Sequence, residues 1–143
     1  RRQKGGAAIV MGSLSPKNVA PDGAGLFPTA RNFIQANDFG RLILESGQKP
    51  DWWTETVPLK IVIVEGEPDF LSWAGRVSDA DAHPLAVFGI WSGAWTESIA
   101  ARIPDHSRVT IRTDHDKAGH RYAEKIRASL AKRCEILRTK KRT

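Results

Sequence analysis

This 143-residue chain has a single cysteine and no long apolar run, and these two features limit the classes of protein to which it can belong. With Cys134 alone, an intrachain disulfide is impossible and a reducing, cytoplasmic setting is expected. The longest apolar runs, at 61–64 and 85–90, are far shorter than the roughly 20 residues that span a bilayer. The N-terminal residues also lack the apolar stretch of a secretory signal. The sequence therefore predicts a cytoplasmic protein with no membrane partner.

Several familiar signatures of catalysis are also missing. The glycines of the turn cluster at 21–25 lack the spacing of a dinucleotide fingerprint or a Walker loop. The only tyrosine, Tyr122, falls inside a predicted helix, so this chain alone cannot assemble a phosphotyrosine strand-passage reaction. His115 and His120 do not have the spacing of a zinc finger or a metalloprotease. Acidic residues are then the remaining chemical candidates.

Positive charge is concentrated near the C-terminus. The formal net charge is +6, but residues 60–137 contain eleven basic and eleven acidic residues. Residues 1–57 contain seven against five, and residues 138–143 contain four basic residues and no acidic one. The segment with the candidate chemistry is therefore neutral. A solvated tail and a phosphate-binding tail are equally supported for the last six residues.

From residue 59 onward, apolar strands alternate with helical segments. Strands are predicted at 60–64, 85–90, 108–113 and 134–138, and helices from Pro68, at 94–102 and at 117–131. Strands and helices that alternate through short connections indicate parallel pairing with right-handed crossovers. We therefore predict an α/β, Rossmann-like sheet of about four parallel strands with helices on both faces.

Residues 1–57 have a different pattern and are predicted to form a small N-terminal annex to a main domain at 58–143. A short strand at 7–11 precedes a loop that is rich in turn-forming residues. A helix is predicted over 30–45, because its apolar residues can share one broad face. We interpret this helix as a brace on the sheet, since no chemical groups converge along it.

Four acidic residues follow two of the predicted strands. Glu65 comes directly after the first strand, where Gly66 allows a sharp turn and Asp69 lies in the first turn of the next helix. Asp114 and Asp116 come just after the third strand. Open α/β sheets place their chemistry at the carboxyl ends of strands. If the two strands are neighbours, the acidic clusters lie within a few ångströms of each other.

Carboxylates gathered at one sheet edge repel one another, and a hard divalent cation relieves that repulsion. Mg²⁺ is suited to such a site because it takes one or two carboxylates, keeps several waters and bridges substrate phosphates. The plainer alternative is that Asp69, Asp114 and Asp116 cap exposed helix ends, as aspartates often do. The order and spacing of the whole set favour the metal site.

A Glu-Gly-x-x-Asp motif begins at Glu65, and about fifty residues later an Asp-x-Asp motif begins at Asp114. Together they resemble the toprim domain of primases, topoisomerases and related nucleases. The resemblance covers roughly residues 58–138, over half of the chain. The longer run Asp-His-Asp-Lys-Ala-Gly from Asp114 is similar to the version found in bacterial and phage primases and primase-helicases.

The resemblance implies a toprim fold and nucleotidyl transfer, dependent on Mg²⁺ or Mn²⁺, with nucleotides and single-stranded DNA as partners. It implies that Glu65 acts as general acid or base and that Asp114, Asp116 and Asp69 bind the metal. The glycine-containing loop after the second strand would line the same site. The residues expected to bind nucleic acid or nucleotide are Lys117, Arg121, Arg112, Gly66 and Gly93.

A primase-type replication protein of a phage or mobile element is therefore the first hypothesis. Full primer synthesis is expected to need a template-binding region, and a zinc or helicase module, elsewhere in the parent protein. A metal-dependent nuclease with the same carboxylates and a noncatalytic nucleic-acid-binding module are the alternatives. Lys117, Arg121 and Lys125 form a row on one helix face, which is either a solvated face or a phosphate contact. The polar strand at 108–113 predicts either an open sheet face or pairing of Arg112 with a carboxylate.

Overall fold

A mostly parallel sheet organises this chain. The computed structural model describes residues 9–10, 34–78, 81–90 and 94–139. Within them the strands are β1 (Ile9–Val10), β2 (Gln35–Ala36), β3 (Lys60–Glu65), β4 (Ala86–Ile90), β5 (Arg108–Arg112) and β6 (Glu135–Arg138). The helices are α1 (Asp38–Ser46), α2 (Glu67–Ala74), α3 (Glu97–Ala101) and α4 (Lys117–Leu130). In this described part, no helix is long and apolar enough to cross a membrane.

The strands lie in the order β1-β2-β4-β3-β5-β6. Pairing is parallel from β4 through β3 and β5 to β6, and antiparallel between β1 and β2 and between β2 and β4. The prediction of a mostly parallel α/β sheet surrounded by helices is confirmed, and two short antiparallel strands extend it beyond β4. Because β3 and β5 are adjacent and parallel, their carboxyl ends meet at one edge of the sheet.

Side chains of the central strand β3 alternate between two hydrophobic clusters. Ile61 and Ile63 belong to the larger cluster, which also contains buried residues of α1, α3 and α4. Val62 and Val64 belong to the smaller cluster, together with Phe70 of α2. Helices therefore cover both faces of the sheet. Burial on both faces explains why this strand is continuously apolar.

Strand β5 is apolar on one face only. Val109 and Ile111 are buried in the larger cluster, whereas Arg112 is half-buried on the opposite face. The Arg112 guanidinium lies 5.2 Å from the ring centroid of Trp73 and donates a hydrogen bond to Thr139 Oγ1 at 3.0 Å. Among the described residues, Arg112 makes no ion pair with a carboxylate. The polarity of β5 therefore reflects a partly open sheet face.

The predicted helix over 30–45 is wrong at its start. Its first residues lie outside the described part of the chain, β2 occupies two of its central positions, and α1 begins only at Asp38. Asn37 explains the change, because its Oδ1 accepts hydrogen bonds from the N–H groups of Gly40 at 2.9 Å and Val87 at 3.0 Å. This side chain therefore caps α1 and ties it to β4.

The N-terminal region shares the core of the main sheet. β2 pairs with β4, and Phe39 and Ile43 of α1 are buried in the larger hydrophobic cluster. Helix α1 thus packs on the sheet. The domain boundary at residue 57 stays a prediction, and the turn-rich loop predicted before α1 lies outside the described residues.

Candidate functional site

Glu65 and Asp114 meet at the carboxyl edge of the sheet. Glu65 is the last residue of β3, and Asp114 comes two residues after the end of β5. Val64 lies opposite Arg112 in the parallel pairing of these strands, so the chain leaves both strands at the same level. Glu65 Oε1 accepts a hydrogen bond from the Asp114 N–H at 2.8 Å. The two acidic motifs are therefore joined by a direct bond, and both residues are half-buried.

Asp116 is the N-cap residue of α4. Its Oδ1 accepts a hydrogen bond from the Gly119 N–H at 2.7 Å, and the residue is exposed. The capping role foreseen as the plainer alternative is thus present at this position. A carboxylate has two oxygens, and this cap uses one of them. Capping and ligand binding are therefore compatible at Asp116, because the cap fixes the carboxylate through one oxygen only.

The turn between β5 and α4 is too closely packed for a side chain at Gly119. A Cβ atom built at Gly119 would lie 1.9 Å from the Asp114 carbonyl oxygen. The fully buried Thr113 also fixes this turn, because its Oγ1 donates a hydrogen bond to the Gly119 carbonyl at 2.7 Å. Glycine at the end of the Asp-His-Asp-Lys-Ala-Gly run is therefore required for steric reasons, since it lets α4 begin against the Asp114 backbone.

Gly66 makes the corresponding turn after β3. Its backbone has φ 90° and ψ 157°, a conformation that residues with a side chain rarely adopt. Its N–H donates to the Ile90 carbonyl at 3.0 Å, which links the ends of β3 and β4. Asp69 is half-buried in the first turn of α2. Gly93, predicted to line the same site, lies outside the described residues.

The cationic row along α4 starts beside the acidic turn. Lys117, Arg121 and Lys125 are all exposed, and α4 begins directly after Asp116. The row therefore leads from the acidic turn along the helix surface, and its contact with phosphate stays a prediction. Arg112 lies on the sheet face covered by α2, apart from this row.

Arg138 is the principal residue at this edge whose contacts sequence analysis did not predict. It is the half-buried last residue of β6, in agreement with the predicted strand at 134–138, and it is therefore not part of a solvated tail. Its Nη2 donates to the Asp114 carbonyl and its Nη1 to His120 Nδ1, each at 3.1 Å. The alternation of β6 contained the signal, since Arg138 lies on the same face as Ile136, which packs against the larger cluster.

The acidic side chains of these motifs offer oxygen ligands to a metal. Within the described residues, no group of three or more His, Cys, Asp or Glu side chains is arranged to hold a metal ion. Mg²⁺ does not need such a group, because it takes one or two carboxylates and completes its shell with waters and substrate phosphates. Glu65 and Asp116 each use one carboxylate oxygen in the bonds to backbone N–H groups described above. The donor chemistry of the site therefore fits Mg²⁺.

Cys134 has no part in this chemistry. It is buried just before β6, and its Sγ lies 3.6 Å from the Pro104 carbonyl oxygen. Burial raises the pKa of the Cys134 thiol, so the nucleophilic thiolate is disfavoured at neutral pH. Cys134 therefore packs as a small buried hydrophobe.

The fold and the site define an α/β domain with acidic turns at the carboxyl ends of adjacent parallel strands. A family model described as Toprim-like matches residues 62–142, more than half of the chain. The chain belongs to this Toprim-like family, and the resemblance found in its motifs is confirmed at that level. Toprim domains occur in enzymes that act on nucleic acids, and they bind divalent metals, typically Mg²⁺. No curated protein and no solved structure matches the chain significantly.

Proposed function

We propose that this chain is the Mg²⁺-dependent catalytic domain of a primase-type DNA replication protein, which transfers nucleotides during primer synthesis on single-stranded DNA. The observation that supports this most is the 2.8 Å bond between Glu65 Oε1 and the Asp114 N–H, which unites the two acidic motifs. The Asp-His-Asp-Lys-Ala-Gly run from Asp114 favours the primase type within the family.

Glu65 is the proposed general acid or base. Its Oε1 is held by the Asp114 N–H, so its Oε2 is the oxygen that we propose exchanges a proton with the reacting hydroxyl. A carboxylate fixed in this way is oriented before substrate arrives, which favours proton transfer in the transition state. Groups in this role typically contribute about 10²- to 10⁴-fold to rate.

Asp114 and Asp116, together with Asp69, are the residues that we propose hold the metal, with Mn²⁺ as a substitute for Mg²⁺. When bound, the metal would polarise phosphoryl oxygens and offset the negative charge of the substrate. The Gly119 N–H keeps the Asp116 carboxylate at the start of α4. The charge balance of residues 60–137 supports phosphate binding at such a local site rather than on a generally basic surface.

Basic side chains near the acidic turns are the proposed substrate contacts outside the metal site. Lys117 and Arg121 are exposed on α4 next to Asp116 and are the proposed phosphate contacts, with Arg112 as a further candidate. Gly66 lacks a side chain at the turn after β3, which permits close approach of a nucleotide, and Gly93 is proposed for the same purpose. A template-binding region and a helicase module of the parent protein are the proposed partners.

Replacement of Glu65 by Gln tests the catalytic assignment. Because full primer synthesis is expected to need a template-binding region elsewhere in the parent protein, the parent protein is incubated with single-stranded DNA, ribonucleotides and Mg²⁺ or Mn²⁺, and both nucleotide incorporation and DNA cleavage are measured. Glu65→Gln should lower turnover at least 10²-fold while leaving DNA affinity nearly unchanged, because the amide oxygen keeps the bond to the Asp114 N–H but an amide cannot act as a general acid or base. Glu67→Gln is the matched control, since Glu67 is an exposed acid two residues away and should behave as wild type.

The products of the same assay separate the proposed function from its alternatives. Template-directed incorporation of ribonucleotides supports the primase type, whereas cleavage without incorporation would identify a nuclease that uses the same carboxylates. Binding of DNA with neither reaction would favour a noncatalytic module. Equal loss of turnover and DNA affinity in Glu65→Gln would contradict the role of Glu65 as acid or base.

A further inference from the structure

We propose that Arg138 is a positioning residue for the candidate metal site, which it controls by fixing the backbone of Asp114. The inference rests on the proposed function in one respect, namely that Asp114 and Asp116 bind the metal. Arg138 is outside both acidic motifs, on the edge strand β6, and reaches the site through the polypeptide backbone rather than through a carboxylate.

Both backbone polar groups of Asp114, the N–H and the carbonyl, are hydrogen-bonded. Its N–H donates to Glu65 Oε1 at 2.8 Å, and its carbonyl accepts from Arg138 Nη2 at 3.1 Å. The same guanidinium nitrogen lies 3.5 Å from the Thr113 carbonyl oxygen. A residue held by both its backbone groups has little rotational freedom left in φ and ψ. The direction of the Asp114 side chain therefore depends on Arg138 as well as on Glu65.

The Asp114 carbonyl oxygen lies in a closely packed part of the turn. This oxygen faces the position where Gly119 has no Cβ atom, at 1.9 Å from a Cβ built there. Arg138 binds this same oxygen, so the guanidinium and the start of α4 enclose it together. Loss of the guanidinium would leave a half-buried carbonyl without its charged donor, and the peptide would turn to find another.

Arg138 also bonds to a residue of α4. Its Nη1 donates to His120 Nδ1 at 3.1 Å, and its buried Nε has no hydrogen-bond partner in the part of the chain that the structure describes. Among the described residues it forms no ion pair, so its charge is not directed to a carboxylate. It therefore supports the acidic turn without occupying the carboxylate oxygens that a metal would need.

A positioning role of Arg138 and a purely electrostatic effect of its charge predict opposite changes in metal affinity. A permanent cation close to a metal site repels the metal, so its removal should strengthen binding if charge alone mattered. If Arg138 acts by positioning, its removal should weaken binding, as loss of a partner behind a metal ligand commonly does. The sign of the change therefore identifies the mechanism.

Arg133 is a matched control elsewhere in the fold. Its guanidinium likewise donates to backbone carbonyls, those of Ile103 at 2.7 Å and Ala100 at 2.6 Å, and it is half-buried. These carbonyls belong to the end of α3 and the residues after it, not to the acidic turns. Arg133→Ala should lower thermal stability, as Arg138→Ala should, but should leave metal affinity unchanged.

The test measures Mn²⁺ binding by calorimetry and electron paramagnetic resonance for the whole chain without substrate. Arg138→Ala should weaken Mn²⁺ binding about 10-fold or more and should speed amide hydrogen exchange in residues 113–119. Arg138→Lys retains the charge but not the forked donor, so it should show a smaller loss in both measurements. If Arg138→Ala does not fold, Arg138→Lys decides, since Mn²⁺ affinity and exchange equal to wild type would overturn the proposal.

Other outcomes are equally decisive. Tighter Mn²⁺ binding in Arg138→Ala, or losses equal to those in Arg133→Ala, would overturn the positioning role. Asp116→Asn serves as the reference for the site itself. If Asp116→Asn loses Mn²⁺ affinity and Arg138→Ala does not, this inference fails while the proposed metal site stands. If neither affects Mn²⁺ binding, the proposed metal site fails, and unchanged exchange in residues 113–119 would then also overturn the positioning role.

Discussion

The two acidic turns at the carboxyl edge of the sheet are held in different ways. The turn after β5 has its own bonds, from the Gly119 N–H to Asp116 and from Thr113 to the Gly119 carbonyl. The turn after β3 depends on an unusual glycine conformation at Gly66, and its acidic side chain, Glu65, is bonded to the other turn. The turn after β5 is therefore fixed by its own bonds and forms a rigid frame, and the Glu65 side chain is oriented by its bond to this turn.

This difference implies that the turn after β5 controls both motifs. A change there should disturb Glu65 as well, because Glu65 Oε1 accepts its bond from the Asp114 N–H. A change in the turn after β3 should leave the Asp116 cap intact. Substitutions in the two turns can therefore separate the frame from the group that is aligned on it.

Gly119→Ala should have the largest effect. The new Cβ would collide with the Asp114 carbonyl oxygen, a backbone atom that cannot move without opening the turn. We expect a loss of more than about 3 kcal/mol in the free energy of unfolding, at the upper end for overpacked sites. Urea denaturation followed by circular dichroism measures it. A loss below about 1 kcal/mol would show that this turn is not a rigid frame.

Gly66→Ala should have an intermediate effect. The backbone at φ 90° and ψ 157° disfavours any side chain, at a cost of about 1–3 kcal/mol. Gly75→Ala is a suitable control, because Gly75 ends the same helix with φ −68°, a conformation open to alanine. Thermal unfolding should distinguish the two variants clearly. Equal stability of the two would mean that the turn after β3 adapts without strain.

Asp116→Ala should have the smallest effect on stability, about 1 kcal/mol, through loss of the N-cap of α4. Asp116→Asn should unfold like wild type, since asparagine caps helices as well as aspartate does. Metal affinity should nevertheless fall in both variants, because both lack the carboxylate. Denaturation and Mn²⁺ titration of the pair measure the two roles separately. An asparagine variant as unstable as the alanine variant would contradict the capping role.

The parallel core was predictable from sequence, because the apolar strands β3 and β4 and the helix pattern of α4 are local signals. The proximity of Glu65 and Asp114 was also predictable, since adjacent parallel strands bring their carboxyl ends together. The start of α1 was not predictable, because the helical spacing of its apolar residues concealed the strand before Asn37. The Asn37 side chain bonds to Val87, which lies far along the chain and gives no local signal.

Arg138 was missed for a similar physical reason. The sequence predicts a strand that ends at Arg138 and a run of basic residues that begins with it, but neither pattern predicts its contact with the acidic turn. Its partner Asp114 lies 24 residues away, and only strand pairing brings the two together. Contacts between a side chain and a distant backbone carbonyl leave no compositional trace, which is why the support of the acidic turn was invisible in sequence.

The pairing of β6 with β5 also decides where this domain can be shortened. The Thr139 N–H donates to the Ile111 carbonyl at 3.1 Å, and Thr139 Oγ1 accepts from Arg112 at 3.0 Å. Removal of residues 138–143, the natural way to test a basic tail, would therefore cut into the sheet and release Asp114. A truncation after Thr139 keeps these bonds. Only that shorter deletion would report on the charged terminus rather than on the integrity of the domain.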